Sequence, residues 1–119
     1  MKHQWKLTDK HVAVLFSRWD ELSAALHDLH AERAEGTKEL MDEAIALYEE
    51  LSTLCDGVVE PINQEERLSF VRANRGRFTA YRQLVVLFKE FQKQFAAKRI
   101  RSEFEKTDIY RNAATKGDA

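Results

Sequence analysis

Along nearly the whole chain, apolar residues recur at alternating intervals of three and four, which places them on one face of an α-helix rather than on a strand. The first stripe is Val12, Leu15, Trp19, Leu22, Leu26 and Leu29, with Arg18, Asp20, Glu21, Asp28 and Glu32 on the other faces. Thr8 is the expected N-cap, because its hydroxyl can accept from an unpaired first-turn amide. Asp9 then meets the positive end of the helix dipole, and Leu7 and Val12 have the spacing of a hydrophobic staple. The helix is expected to stop near Glu35, with Gly36 as the left-handed residue past its end. A second helix follows at once, capped by Thr37, with Glu39 in its first turn and a stripe of Leu40, Ala44, Leu47, Leu51 and Leu54. Met41, Ile45, Tyr48 and Cys55 widen that stripe into a broad buried arc. Gly57 is expected to end it. So short a link between the two helices makes an antiparallel hairpin the default.

Residues 57–62 form the one plausible loop of any length. Asn63 and Glu66 then have capping-box spacing, and residues 64–105 read as helix apart from the run Asn74, Arg75, Gly76. Gly76 either ends a short third helix or sits inside one long helix at a cost of about 1 kcal/mol relative to Ala; a break or kink is the favoured reading. Beyond it, Phe78, Tyr81, Leu84, Val85, Phe88, Phe91 and Phe95 make a strongly aromatic stripe. Residues 1–7 read as a lead-in and 106–119 as a flexible tail. The expected fold is all-α: one domain over 1–119, an antiparallel bundle of three long helices, the third divided near Gly76 into a short and a long segment.

Composition supports helices over sheet, since one Pro and four Gly are too few turn-formers for a many-stranded sandwich. A single cysteine, Cys55, has no internal disulfide partner, which suits a reducing, cytoplasmic setting. The longest strongly apolar run, residues 84–88, is far short of the roughly 20 residues a membrane span needs, so no membrane partner is expected. The net charge of −1 conceals a division. Residues 1–62 carry 6 Lys/Arg against 13 Asp/Glu, and residues 63–119 carry 13 against 7.

Helix lengths suggest where binding occurs. The last helix, over 77–105, would run about 40 Å, whereas the second would reach only about 27 Å. Measured against that neighbour, part of the long helix projects, leaving Phe91, Phe95, Ile100 and Phe104 short of cover. Exposed apolar stripes of this kind mark association surfaces, and a homodimer is the expected solution.

Candidate chemistry is sparse. His27 and His30 are three residues apart and could share a metal, but a stable zinc site needs three or four ligands, so no metal or other cofactor is expected. Cys55 has no base beside it and reads as a packing residue. Carboxylate neighbours such as Asp42/Glu43 and Glu49/Glu50 diverge by about 100° around a helix and cannot face one reacting bond. Trp19 reads as core, and Trp5 as a lid or core residue. No catalytic constellation emerges, and an enzyme is not expected.

The basic half carries the clearest functional signal. On a continuous helix, Arg72, Arg75, Arg82, Lys89 and Lys93 would share a sector of roughly 100° opposite the aromatic stripe. That row either pairs with the acidic helices or meets an anionic partner, an acidic protein or a nucleic acid. No helix-turn-helix, zinc-finger or RNP sequence accompanies it. The expected function is a non-enzymatic, dimerising adaptor or regulator that uses the aromatic end and cationic face of its last helix. The alternative is a nucleic-acid-binding accessory protein using the same row.

Overall fold

The computed structural model describes the backbone of residues 2–56 and 58–118, and the side chains of 10–56 and 58–99. Four helices make up the described residues: α1 (Lys2–Glu32), α2 (Thr37–Leu54), α3 (Gln64–Ala73) and α4 (Phe78–Asp118), with no strand among them. The count is four where the sequence suggests three long helices, because the division expected near Gly76 is a full turn at residues 74–77.

Several ends differ from the sequence expectation for local reasons. The helical backbone of α1 begins at Lys2, so Thr8 and Asp9 lie inside the helix rather than at its cap. At the other end Arg33, not Gly36, takes the left-handed conformation that stops α1, with φ of 54°. The Ala34 amide donates to the Leu29 carbonyl (2.9 Å) and the Arg33 amide to the His30 carbonyl (3.2 Å), the paired bonds of a Schellman motif. Gly36 has φ of 99° but serves as the N-cap of α2, so Thr37 is the first helical residue and no side chain caps the helix. Asn63 does stand at the N-cap of α3, yet without a capping side-chain hydrogen bond. Asn74 closes α3 by donating its side-chain amide to the Phe70 carbonyl (2.9 Å). The α4 backbone continues through Asp118, across the segment read from sequence as a tail.

The apolar stripes meet in one core. From α1 come Val12, Leu15, Trp19, Leu22 and Leu26, all buried as their spacing predicts. In α2 the buried centre lies on Met41, Ala44, Ile45, Tyr48 and Leu51, while Leu40, Leu47 and Leu54 pack at its margin. Leu68 and Val71 come from α3. From α4 come Ala80, Tyr81, Leu84, Leu87, Phe88, Phe91 and Phe95. Trp19 stacks on Phe88 with centroids 3.9 Å apart and planes 6° off parallel. Tyr48 meets Phe88 and Phe91 edge-on at 5.1 and 5.5 Å, adding a directional preference to the burial of area.

Contacts along the helices show their relative direction. His30 lies against Phe78, Ser23 against Tyr81, Trp19 against Phe88 and Phe16 against Phe95, so α1 and α4 run oppositely. Contacts of α2 with α3 and the turn after it likewise descend in order, Asp42 to Arg75, Glu49 to Arg72 and Ser52 to Gln64. One polar link is buried within this packing. The Tyr48 hydroxyl donates to Gln64 Oε1 (2.6 Å), and Gln64 Nε2 donates to Ser52 Oγ (3.3 Å), so the buried amide does not go unpaired. The loop after α2 is tied down by buried Val59 and Pro61 and by the Glu60 amide, which donates to Gln94 Oε1 (3.0 Å).

Candidate interaction surface

The aromatic end of the last helix is not a free surface. Phe91 is fully buried and Phe95 only 6% exposed, which corrects the expectation that they await a partner. Tyr48 of α2 covers Phe91 on one side, and α1 supplies the cover that α2 is too short to give. At 31 residues α1 is about 46 Å long, and its Phe16 packs edge-on against both rings at 6.1 Å. The side chains of Ile100 and Phe104 lie outside the described residues.

The cationic row divides in two. The turn at 74–77 removes the continuous helix on which five residues would align. Arg72 instead pairs with Glu49 of α2 (2.7 Å) and Arg75 with Asp42 of α2 (2.5 Å). These two therefore serve pairing within the protein and are corrected out of the row. Arg67, which the sequence reading passed over, pairs with Glu90 between α3 and α4 and also donates to the Ile62 carbonyl (3.0 Å). Beside that guanidinium the Glu90 carboxyl is held below its ordinary value.

Arg82, Lys89 and Lys93 remain exposed on α4. Phe78 and Val86, 48% and 43% exposed, lie on the same face. At 100° per residue the five positions fall within about 80° of one another, opposite the buried stripe. The Arg82 guanidinium carbon lies 6.0 Å from the Phe78 ring centroid, within cation–π range. The result is a ridge of mixed character, with cations for attraction and apolar groups for contact. Helical register alone sets Phe78 on this face and off the buried stripe of Tyr81, Leu84, Phe88, Phe91 and Phe95, so grouping it with that stripe is corrected here.

The opposite flank is acidic. Between α1 and α2 runs an open groove of about 250 Å³, lined by Arg18, Leu22, Glu43, Ala46, Leu47 and Glu50. Arg18 bridges Glu21 (3.0 Å) and Glu43 (2.5 Å) across its wall. A second hollow, of about 360 Å³, lies at the α3–α4 turn among Lys38, Arg72, Arg75, Gly76 and Arg77. Sequence reasoning missed it, since Lys38 is remote from the turn in the chain.

The remaining candidates carry little chemistry. Cys55 is buried, and burial pushes its thiol up to about 11, away from the reactive thiolate. His27 is exposed beside Asp28 at 3.6 Å, whereas the His30 ring packs between Phe78 and Tyr81. The pair does not converge, and no group of three His, Cys, Asp or Glu side chains able to hold a metal occurs among the described residues. Trp19 is core, and Trp5 lies outside the described side chains. None of the described helices is long and apolar enough to cross a membrane.

These features define an all-helical protein with a cationic–apolar ridge on one helix and an acidic flank on two others. The chain belongs to the YpoC-like protein family, whose model matches residues 9–103. The match takes in the whole described core and the ridge. No curated protein and no solved structure matches the chain.

Proposed function

We propose that this chain is a small, non-enzymatic interaction protein of the helical-bundle type, which docks the outer face of α4 onto an acidic protein surface. The observation that carries the reading is the ridge: Arg82, Lys89 and Lys93 interleaved with exposed Phe78 and Val86 on the face turned away from the core. Charge along such a ridge steers encounter and selects an anionic partner, while the apolar groups add contact area. A second copy of the chain offers a surface of the required kind. Its α1–α2 groove sets Leu22 and Leu47 beside Glu50 and Glu43, the latter already paired with Arg18, and the two halves of the sequence carry opposite charge. Self-association by this route needs no contribution from the buried Phe91 and Phe95. The burial of Cys55 also favours a role without nucleophilic chemistry.

A nucleic-acid partner is the weaker reading, because Glu49 and Asp42 already engage two of the five cations. Light-scattering mass measured across protein concentration, at low and at high salt, tests the proposal. A dimer at low salt should dissociate as salt rises, and Arg82→Glu with Lys89→Glu should abolish it. Adding Glu43→Lys and Glu50→Lys to that variant should restore it. A monomer at every concentration and salt, or a dimer indifferent to these changes, would remove the self-docking reading. Co-purifying nucleic acid, seen as a raised 260/280 nm absorbance ratio and lost in the Arg82→Glu, Lys89→Glu variant, would establish the alternative.

A further inference from the structure

The hollow at the α3–α4 turn is built from parts of the chain that the ridge does not use. Lys38 comes from the first turn of α2, Arg72 from α3, and Arg75, Gly76 and Arg77 from the turn itself. Arg72 and Arg75 are held by Glu49 and Asp42, which cancel their charge and fix their positions. Among the described residues Lys38 and Arg77 have no such carboxylate, so there the hollow keeps an excess of two positive charges. Gly76 contributes by what it lacks. A Cβ added there would come within 3.1 Å of Lys38 Cε, so the bare α-carbon lets the lysine stem lie against the turn. The hollow also opens where α4 begins. The Ala80 and Tyr81 amides already donate to the Arg77 carbonyl (3.2 and 3.3 Å), which leaves the Phe78 and Thr79 amides of the first turn, and α4 has no acidic residue there to occupy them.

We propose that this hollow binds the phosphate group of a small phosphorylated molecule, with Lys38 and Arg77 as its principal charge partners. A phosphate near neutral pH carries close to two negative charges and presents three strong acceptor oxygens. That matches the two uncompensated cations, and guanidinium forks suit its geometry. Free phosphate and a phosphate monoester share the chemistry, and the volume of about 360 Å³ leaves room beside the phosphate for a small organic portion.

The test is a titration of the full chain with inorganic phosphate and, separately, with ribose 5-phosphate, at constant ionic strength set with chloride. Backbone amide NMR shifts supply the readout. Saturating shifts centred on Lys38 and on residues 76–79 are expected. Arg77→Ala and Lys38→Met should each weaken binding about tenfold, the scale of one charge-assisted hydrogen bond; Met preserves the stem packed against Gly76. Arg82→Ala, on the ridge, should change nothing, and circular dichroism should confirm that each variant is folded. Saturation by the ester alone, by free phosphate alone or by both supports the site and identifies its source. Three results would overturn it: shifts that grow without saturating, binding that survives the Lys38→Met, Arg77→Ala double variant, or shifts centred on Arg82, Lys89 and Lys93.

Discussion

His30 ends the apolar face of α1 with its ring 5.4 Å from those of Phe78 and Tyr81, and its buried Nε2 has no hydrogen-bond partner among the described residues. Burial lowers its pKa below the ordinary 6.5, because the charged form loses its water. In the unfolded chain the imidazole therefore takes up a proton at a pH where the folded chain still resists it. Stability is fully present above pH 6.5 and declines as pH falls toward the depressed folded value. The Arg67–Glu90 pair acts lower on the scale, because the lowered carboxylate loses its contribution only below the ordinary Glu value of 4.5. Urea midpoints measured from about pH 7.5 to 5 should thus fall for the natural chain, while His30→Phe should remain nearly flat. An equal slope in both proteins would show that some other group carries the effect. Tyr48 and Cys55, whose pKa values burial raises, remain neutral throughout this range.

At the scale of the elements, two glycines make opposite predictions. Gly36 has open space around it but a φ of 99°, so Gly36→Ala should destabilise the link between α1 and α2 by about 1–2 kcal/mol through backbone strain. Gly76 has no positive φ and meets only the flexible Lys38 side chain, so Gly76→Ala should stay within about 0.5 kcal/mol of neutral. Chemical denaturation of the two variants checks the contrast. The same elements show what could be read beforehand. The α1 stripe from Val12 to Leu26 was legible because burial there follows an uninterrupted helical period. Arg33 as the stopping residue was not, because a non-glycine residue gives no sign that it will accept positive φ. Phe91 and Phe95 were misplaced by comparing α4 with α2 alone, its short neighbour, when α1 completes the cover through Phe16. On the surface, Arg82, Lys89 and Lys93 were legible from helical register alone. The pairing of Arg72 and Arg75 depends on the turn that separates them from α4 and on how α3 lies along α2.

The whole molecule measures 68 × 25 × 21 Å, with a radius of gyration of 18.3 Å. A compact chain of this length would have a radius near 13–14 Å, and the difference comes from α4. Its 41 residues alone extend about 61 Å. Small-angle X-ray scattering of the monomer should therefore return a value near 18 Å, whereas a value near 14 Å would mean that the far part of α4 folds back.

The stacking of Trp19 on Phe88 has a further consequence, for how the fold is completed. Its two rings come from positions roughly 70 residues apart, so the junction must wait for a large closure of the chain. Phe16 waits longer still, for Phe95. During synthesis the oily side of the first helix emerges early, meets α2 soon after, and lacks the rest of its cover until the last helix appears. A ribosome stalled near Arg77 would hold a chain in which Trp19, Tyr48 and Phe16 lack their α4 partners, a target for chaperones and for aggregation.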